Sequence, residues 1–379
     1  MDFSWSKEQE SLFEAIAEFA SGELNRNLME NDRNATFNRE GWAKCGKFGI
    51  QGLALPQAYG GSGRDPLTTA AAMEHLGYAC CDNGLVFSLS AQMLVSMPVI
   101  AFGSEEQKRR FLPGLCTGHM VGALAMSERS SGSDAYSLRT TATKKGDRYL
   151  LNGKKTFVTN GPIADMVIAF ATVDESKGAP GISAFLVEKS FPGFFAGPNA
   201  DKMGLRSSPM AELTFEDCEV PENNLLGAEG GGSGVFAHAM MYERGSILAG
   251  AVGSMRRLLE TCIRYAKGRK QFGQPIGRFQ LVGSKIVDMK LRLEIARNLL
   301  YQCGYQLGRG RKAIVEGALA KLQISEGWVK SCEDAIQIHG GYGYMTELQI
   351  ERELRDAIAS RIYAGTNEIQ RNLVASLLI

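Results

Sequence analysis

DRYLLNGKKTFVTNG (147–161), ADMVIAFATV (164–173), PGISAFLVEK (180–189) and AELTFEDCEV (211–220) are short β-prone runs divided by Gly, Pro and Asn. No helical stretch separates them. Parallel strand–helix–strand units are excluded for want of crossover helices, and a compact β domain is predicted. In 214–220 the apolar residues Phe215, Cys218 and Val220 do not alternate perfectly, so the edge of that strand stays open. Outward from this block the texture turns helical on both sides. Upstream, Ser6 and Gln9 have capping-box spacing, and Leu12, Ile16 and Phe19 repeat on one face. Pro56 and the GGSG of 60–63 predict a surface turn. Helical pattern resumes from about residue 66 to 115, where AAAMEHLGYACC (70–81) and GLVFSLSAQMLV (84–95) are almost uncharged and read as buried helices. Downstream, GAEGGGSG (227–234) precedes three long amphipathic segments (236–268, 279–307, 313–340) and a shorter fourth, which predict a four-helix bundle. The division is a helical domain at 1–118, a β domain at 119–226 and a helical bundle at 227–379.

The 379 residues amount to roughly two and a half domains at about 150 residues each, enough to bury a large core. Lys plus Arg number 42 against 41 Asp plus Glu, a net charge of +1, which gives no electrostatic reason to expect nucleic acid or an anionic membrane as partner. The eight cysteines are scattered without a CxxC pair and read as reduced thiols. The opening MDFSWSKEQE has neither basic n-region nor apolar h-region, and no run approaches a membrane span, so a cytoplasmic location is expected. The four histidines are isolated and no HExxH, G-x-S-x-G, P-loop or GxGxxG context occurs, so no metal site is expected and any nucleotide must be held differently.

Five segments carry candidate chemistry. SERSSGSD (127–134) offers Ser130, Ser131 and Ser133 and backbone N–H groups as a nest for a phosphate or ring carbonyl, or is a solvated loop. KTFVTNG (155–161) sets Phe157 and Thr159 two residues apart, an aromatic plate with a hydroxyl beside it, with Thr159 and Asn160 at the rim; a strand entering an Asn-Gly turn reads the same. GRKQFGQPIG (268–277) is a helix connection in which Arg269 could reach a pyrophosphate. IHGGYGY (338–344) lets backbone approach a ligand, and IYAGTNEIQR (362–371) offers Thr366 and a helix N-terminus to an anion. Glu243 is the sharpest single residue. Phe236, Met240, Glu243 and Ile247 form one helical stripe, and a carboxylate on an apolar stripe is costly unless paired or functional. Burial would raise its pKa toward that of a general base, with Arg244 about 100° round the helix. The plain alternative is an ion pair with an arginine across the bundle.

Taken together and in order, SERSSGSD, NGKKTFVTNG, RKQFG, QIHGGYG and YAGTNEIQR resemble the acyl-CoA dehydrogenase family of flavoproteins along essentially the whole chain. The resemblance implies FAD as cofactor and desaturation of an acyl thioester, a glutamate taking the α proton and flavin N5 the β hydride. It implies that Met126, Ser127 and Ser133 touch the flavin and its phosphates. Phe157 stands where a tryptophan usually packs on the ring, and Thr159 matches the residue beside N5. Arg269, Gln271 and Phe272 correspond to residues reaching a neighbouring subunit's flavin, which implies a homodimer or homotetramer. Gln337 and Gly341 match the adenosine–pyrophosphate half, and Thr366 and Glu368 the contacts of the last loop. Many members carry the base directly after the tyrosine of a YEGT string. Here the string is Tyr363, Ala364, Gly365, Thr366, and Glu243–Arg244 matches the second location used by the family. Arg129 replaces the usual proline near the thioester channel.

The chain is most similar to a branch of natural-product pathways acting on carrier-tethered groups, with DNGLVFSLSAQ (82–92), PIAD (162–165) and KMGLRSSPMAE (202–212) nearest to enzymes that oxidise prolyl thioesters. A prolyl thioester on an acyl or peptidyl carrier protein is therefore expected, with a short or branched acyl-CoA as the alternative. An electron-transfer flavoprotein or oxygen is expected as acceptor. From other classes, a helical scaffold that has lost flavin and a nitroalkane oxidase or hydroxylase on the same frame remain open.

Overall fold

The computed structural model, which describes residues 4–379, has the expected helix–β–helix order. The N-terminal helices are α1 (Lys7–Glu23), α2 (Leu28–Asn34), α3 (Arg39–Phe48), α4 (Pro66–Ala79), α5 (Asn83–Phe102) and α6 (Glu105–Thr117). Both halves of the Ser6–Gln9 capping box form, but the buried stripe of α1 is Phe13, Ile16 and Ala20, with Leu12 and Phe19 flanking it. Helix α5 corrects one expectation: it is long and apolar enough to cross a bilayer by length and composition. Most of it is instead buried inside the protein, packed against both the β domain and the C-terminal helices.

The middle region forms one eight-stranded sheet of β1 (Gly122–Ala125), β2 (Thr141–Lys145), β3 (Arg148–Thr159), β4 (Met166–Thr172), β5 (Ile182–Glu188), β6 (Phe194–Ala196), β7 (Met210–Pro221) and β8 (Leu225–Leu226). No α-helix interrupts it. Parallel pairing is nevertheless present, because β4 runs parallel to β1 and meets the start of β2, the crossover being made by the β2–β3 pair. The imperfect alternation in β7 is a bulge: Asp217 sits at φ 46° where the register against β3 shifts.

The C-terminal helices are α7 (Gly232–Ser246), α8 (Ala249–Gly268), α9 (Gln280–Gly308), α10 (Ile314–His339), α11 (Gly341–Tyr344), α12 (Ile350–Ile358) and α13 (Asn367–Leu378), with a hairpin of β9 (Lys270–Gln271) and β10 (Gln274–Pro275) between α8 and α9. The first long amphipathic segment is thus two helices, broken at Ile247 and Leu248. The bundle is welded to the N-terminal domain by glycine. A Cβ on Gly77 of α4 would lie 2.1 Å from the Gly250 carbonyl of α8, and one on Gly253 would lie 2.0 Å from the Glu74 carbonyl. Behind this contact a buried polar network ties α5, α8 and α12: Asn83 donates to Glu353 and Asp356 (3.0 Å each), and Arg257 pairs with Glu353 at 2.8 Å.

Candidate active site

The loop after β1 is shaped from beneath by two charges that a periodicity reading treats as surface groups. Lys155 is fully buried and donates to Glu128 Oε1 (2.8 Å) and to the Met126 carbonyl (3.1 Å). Glu128 also accepts from the backbone N–H of Arg139 (2.7 Å) and Thr140 (3.0 Å) and from the Thr140 hydroxyl (2.6 Å). Burial alone would raise the Glu128 carboxyl, but Lys155 and these donors hold it below its ordinary value. Burial brings Lys155 down to about 8 against the opposing pull of Glu128. The pair fixes the carbonyl of Met126, and Ser127 accepts from Thr156 N–H at 2.8 Å. Within SERSSGSD the hydroxyls divide. Ser131 is buried and donates to the Asp134 carbonyl, so it shapes the loop, whereas Ser133 is exposed and Ser127 partly so. Arg129 projects outward and meets Glu212 at 3.1 Å.

The Lys155–Glu128 pair has a consequence in β3. Lys155 and Thr156 are both buried, the register against β7 slips between Lys155 and Val158, and Phe157 takes φ 57°. A left-handed non-glycine residue costs on the order of 1–2 kcal/mol, which is most readily tolerated where the geometry serves a site. Phe157 is left 74% exposed while Val158 is buried and Thr159 stays partly open. Plate and hydroxyl are the two open positions of this stretch, and a bulge rather than plain alternation sets them. Asn160 is not at the rim. It is fully buried and its amide donates to the Ser88 carbonyl of α5 at 3.2 Å.

Helix α7 approaches the β domain through Phe236, which meets Phe170 (5.6 Å between centroids) and Tyr136 (6.1 Å). Seven residues on, Glu243 is partly buried on the same stripe as Met240 and Ile247 and, among the described residues, forms no salt bridge. The cross-bundle arginine pair is therefore absent. Burial pushes the Glu243 carboxyl up to about 7, with Arg244 and Lys321 drawing it down. Arg244 is itself lowered by burial, and its Nε finds no hydrogen-bond partner. The sign for stability follows from the raised value. Glu243 is easier to protonate folded than unfolded, so stability is fully present below the unfolded value near 4.5 and falls as pH rises through about 7. Glu243→Gln should therefore melt above the unmodified protein at pH 8 and alongside it at pH 4.5, the gap at pH 8 being about 1–3 kcal/mol. Equal melting at both pH values would contradict a carboxylate whose desolvation outweighs the pull of Arg244 and Lys321.

The last loop closes a small cavity beside this carboxylate. Tyr363 packs on Phe87 of α5 with centroids 4.7 Å apart, and Leu205, Ile247 and Trp328 complete the apolar wall. Ala364 is buried at φ 58° and Gly365 follows at φ 79°; both carbonyls accept from Gln370 Nε2, at 3.0 and 2.9 Å. The Thr366 hydroxyl caps α13 by accepting from Ile369 N–H, and Glu368 in the first turn supplies negative charge at that N-terminus itself. No carboxylate lines the cavity; its polar lining is Asn83, Tyr363 and the indole of Trp328, whose buried N–H has no acceptor.

Two segments lie away from this centre. The β9–β10 turn places Phe272 (φ 51°) and Gly273 (φ 78°) in the two left-handed positions of a tight hairpin turn, and Phe272 is 93% exposed. Arg269 and Gln271 are exposed on the same arm. Gln337 and Gly341 are exposed at the α10–α11 junction, but the glycine that must be small is Gly343, whose Cβ would lie 2.6 Å from the Ile336 carbonyl. Sequence reasoning missed Lys155, Lys321 and the cavity wall of Phe87, Leu205 and Trp328. The stripe test applied to Glu243 would have found Lys321, which lies one turn from Gly317 and one from Ser325 on a buried face.

Three family models match the chain: "Acyl-CoA dehydrogenase, N-terminal domain" over residues 6–119, "middle domain" over 123–218 and "C-terminal domain" over 230–379. The sequence is 41% identical over 377 residues to an L-prolyl-[peptidyl-carrier protein] dehydrogenase of Pseudomonas fluorescens, covering 99% of each chain. It is also 41% identical to an acyl-CoA dehydrogenase of Bacillus subtilis, covering 99% of this chain and 98% of the other. Among solved structures, the prolyl acyl carrier protein oxidase AnaB is 50% identical with a TM-score of 0.98, over 99% of this chain and 100% of AnaB. PigA with FAD and proline is 40% identical with a TM-score of 0.97, over 100% of this chain and 99% of PigA.

Proposed function

Because this chain belongs to the acyl-CoA dehydrogenase family, we propose that it is an FAD-dependent enzyme that oxidises the α,β bond of a prolyl thioester tethered to a carrier protein. The observation that carries the reading is Glu243: a carboxylate without a salt bridge among the described residues, its pKa pushed up to about 7, one helical turn from Ile247, which lines a cavity together with Phe87, Trp328 and Tyr363. A base of that pKa is half ionised near neutral pH and matched to proton abstraction. The residues fit a flat ring cofactor. Phe157 presents an open aromatic face held at a backbone cost, with the partly open Thr159 two residues on and the Met126–Ser127 loop fixed by Lys155. Bound FAD would supply the two-electron sink that accepts the β hydride. Glu243 takes the α proton, the α C–H electron pair becomes the new C=C bond, and the carboxyl is left protonated. Ser133, Gln337, Gly341, Thr366 and Glu368 would contribute to holding the rest of the cofactor, and Arg129, Arg244, Ala364 and Gly365 border the thioester.

A short acyl-CoA is the second reading, favoured by the equal identity to the B. subtilis acyl-CoA dehydrogenase. Mass-spectrometric assay against prolyl-carrier protein and a series of acyl-CoA thioesters separates the two. Turnover of the carrier-linked prolyl group, with long linear acyl-CoA untouched, is the expected result; the reverse pattern makes the second reading the correct one. A visible flavin spectrum in the purified protein excludes the empty-scaffold reading. Measuring reoxidation by oxygen against an electron-transfer flavoprotein distinguishes oxidase from dehydrogenase.

The exposed β9–β10 arm supports assembly in which Arg269, Gln271 and Phe272 reach a neighbouring copy's cofactor. Arg269→Ala removes a charge-assisted donor worth about 1.5–3 kcal/mol, so FAD should dissociate roughly tenfold or more readily. A monomer by light scattering that remains fully loaded with FAD would show the arm has no such role.

A further inference from the structure

Lys321 is a cation in a place that charge avoids. Helix α10 packs on α7 at the Glu243 level: a Cβ on Gly317 would lie 3.4 Å from Arg244 Cβ and 3.6 Å from Gly245 N. One helical turn along the same face, Lys321 is fully buried. Its ammonium carries three donors, yet among the described residues one acceptor is engaged, Asn367 Oδ1 at 2.8 Å. Ser325 donates to the same oxygen at 3.1 Å, while Asn367 Nδ2 donates to Glu326 at 2.7 Å. Asn367 opens α13 directly after the loop that carries Tyr363 and Ala364. Lys321 therefore grips the start of α13 with one N–H, one helical turn from the place where α10 meets α7 beside Glu243.

We propose that Lys321 is a positioning residue for the proposed base: it sets the ionisation of Glu243 from inside the bundle while tying down the loop that closes the cavity. Burial brings the Lys321 amine down to about 8, with Glu368, Glu243 and Glu326 acting to raise it and Arg244 to lower it. The groups around Glu243 form a short set. Arg244 comes from its own helix, Lys321 from α10 and Tyr363 from the last loop, while Tyr136 acts on Arg244. Helix α5 has no ionisable residue, α9 faces α7 with the buried Cys303 thiol, and Glu188 of β5 is held by Arg110. Among the described residues, Lys321 is thus the one cation from another element that acts on Glu243. A neutral hydrogen-bonding residue could anchor Asn367 equally well, so the charge itself calls for a reason.

The inference rests on Glu243 being the base, and the test keeps the two ideas apart. Holoenzyme labelled with 13C at the glutamate δ carbon gives a carboxyl signal for Glu243, identified by its loss in Glu243→Gln. Lys321→Gln retains a donor for Asn367 and removes the charge, and should raise the Glu243 midpoint by about one pH unit. Lys321→Arg should leave it nearly in place. The acid limb of the flavin-reduction rate should move up in step, with the rate recovering at high pH, a recovery that a purely structural loss would not allow. An unmoved Glu243 midpoint in folded Lys321→Gln overturns the proposal. Should that variant not fold, the unmodified protein decides: a 15N label on lysine follows the titration of Lys321 itself, which must leave a second inflection in the Glu243 signal at the same pH, and a Glu243 curve with no step there overturns the proposal. Normal reduction by Glu243→Gln would instead remove the base assignment while leaving the measured coupling.

Discussion

Glu243→Gln should keep its fold and its FAD and lose about 10²- to 10⁴-fold in the rate of flavin reduction, the usual worth of a positioned general base. Glutamine preserves the shape and hydrogen-bonding capacity of the side chain, and among the described residues the change breaks no salt bridge, so retained fold and FAD would assign the loss to the missing base. The measurement is anaerobic stopped-flow bleaching by the true thioester. Bleaching at the unmodified rate would assign the proton to another residue. In the unmodified protein the rate should fall as pH drops through about 7, because protonation removes the base. Ala364→Glu, added to the Glu243→Gln variant, returns a carboxylate at the place that many family members use. Ala364 is 9% exposed and already at φ 58°, so the longer side chain must displace packed neighbours and only a small part of the rate should return.

The order of the three domains and the main strands were legible because each rests on a pattern of apolar spacing that tertiary structure had no reason to override. The site was legible where chemistry breaks that pattern in one direction. An acid on an apolar stripe singled out Glu243; the same violation by Lys321 went unread, since a lone lysine ordinarily snorkels to water. Phe157 shows a different limit. It was read from plain alternation, whereas it sits at a bulge beside Lys155, which pairs in the core with Glu128, 27 residues away in sequence. No local period encodes that attraction. The cavity wall was hidden for a related reason: Phe87, Leu205, Trp328 and Tyr363 come from four separate segments and look individually like core. The break after α7 was smoothed over because GSILAG continues the helical period through residues that leave the helix at Ile247 and Leu248.

The second large effect is expected at Lys155, remote from the proton transfer. Lys155→Met fits an apolar stem into the same space but strands Glu128, which is 8% exposed and would have only hydrogen-bond donors left to meet its charge. Breaking a buried pair from one side costs about 3–5 kcal/mol, largely the cost of the unpaired charge. That is a substantial part of the about 5–15 kcal/mol by which a typical protein is stable. The damage should be local first. Lys155 holds the Met126 carbonyl and underlies the bulge at Phe157, so flavin fluorescence released on heating should precede loss of helical signal. Lys155→Met combined with Glu128→Gln should melt above Lys155→Met alone, since the second change removes the stranded charge. The pH dependence has a definite sign. Protonation relieves a carboxylate that has lost its cation, so the gap between Lys155→Met and the unmodified protein should narrow from pH 8 toward pH 5. If Lys155→Met holds FAD and melts with the unmodified protein at pH 8, the loop is fixed by its backbone contacts alone, and the Lys155–Glu128 pair has no part in shaping the site.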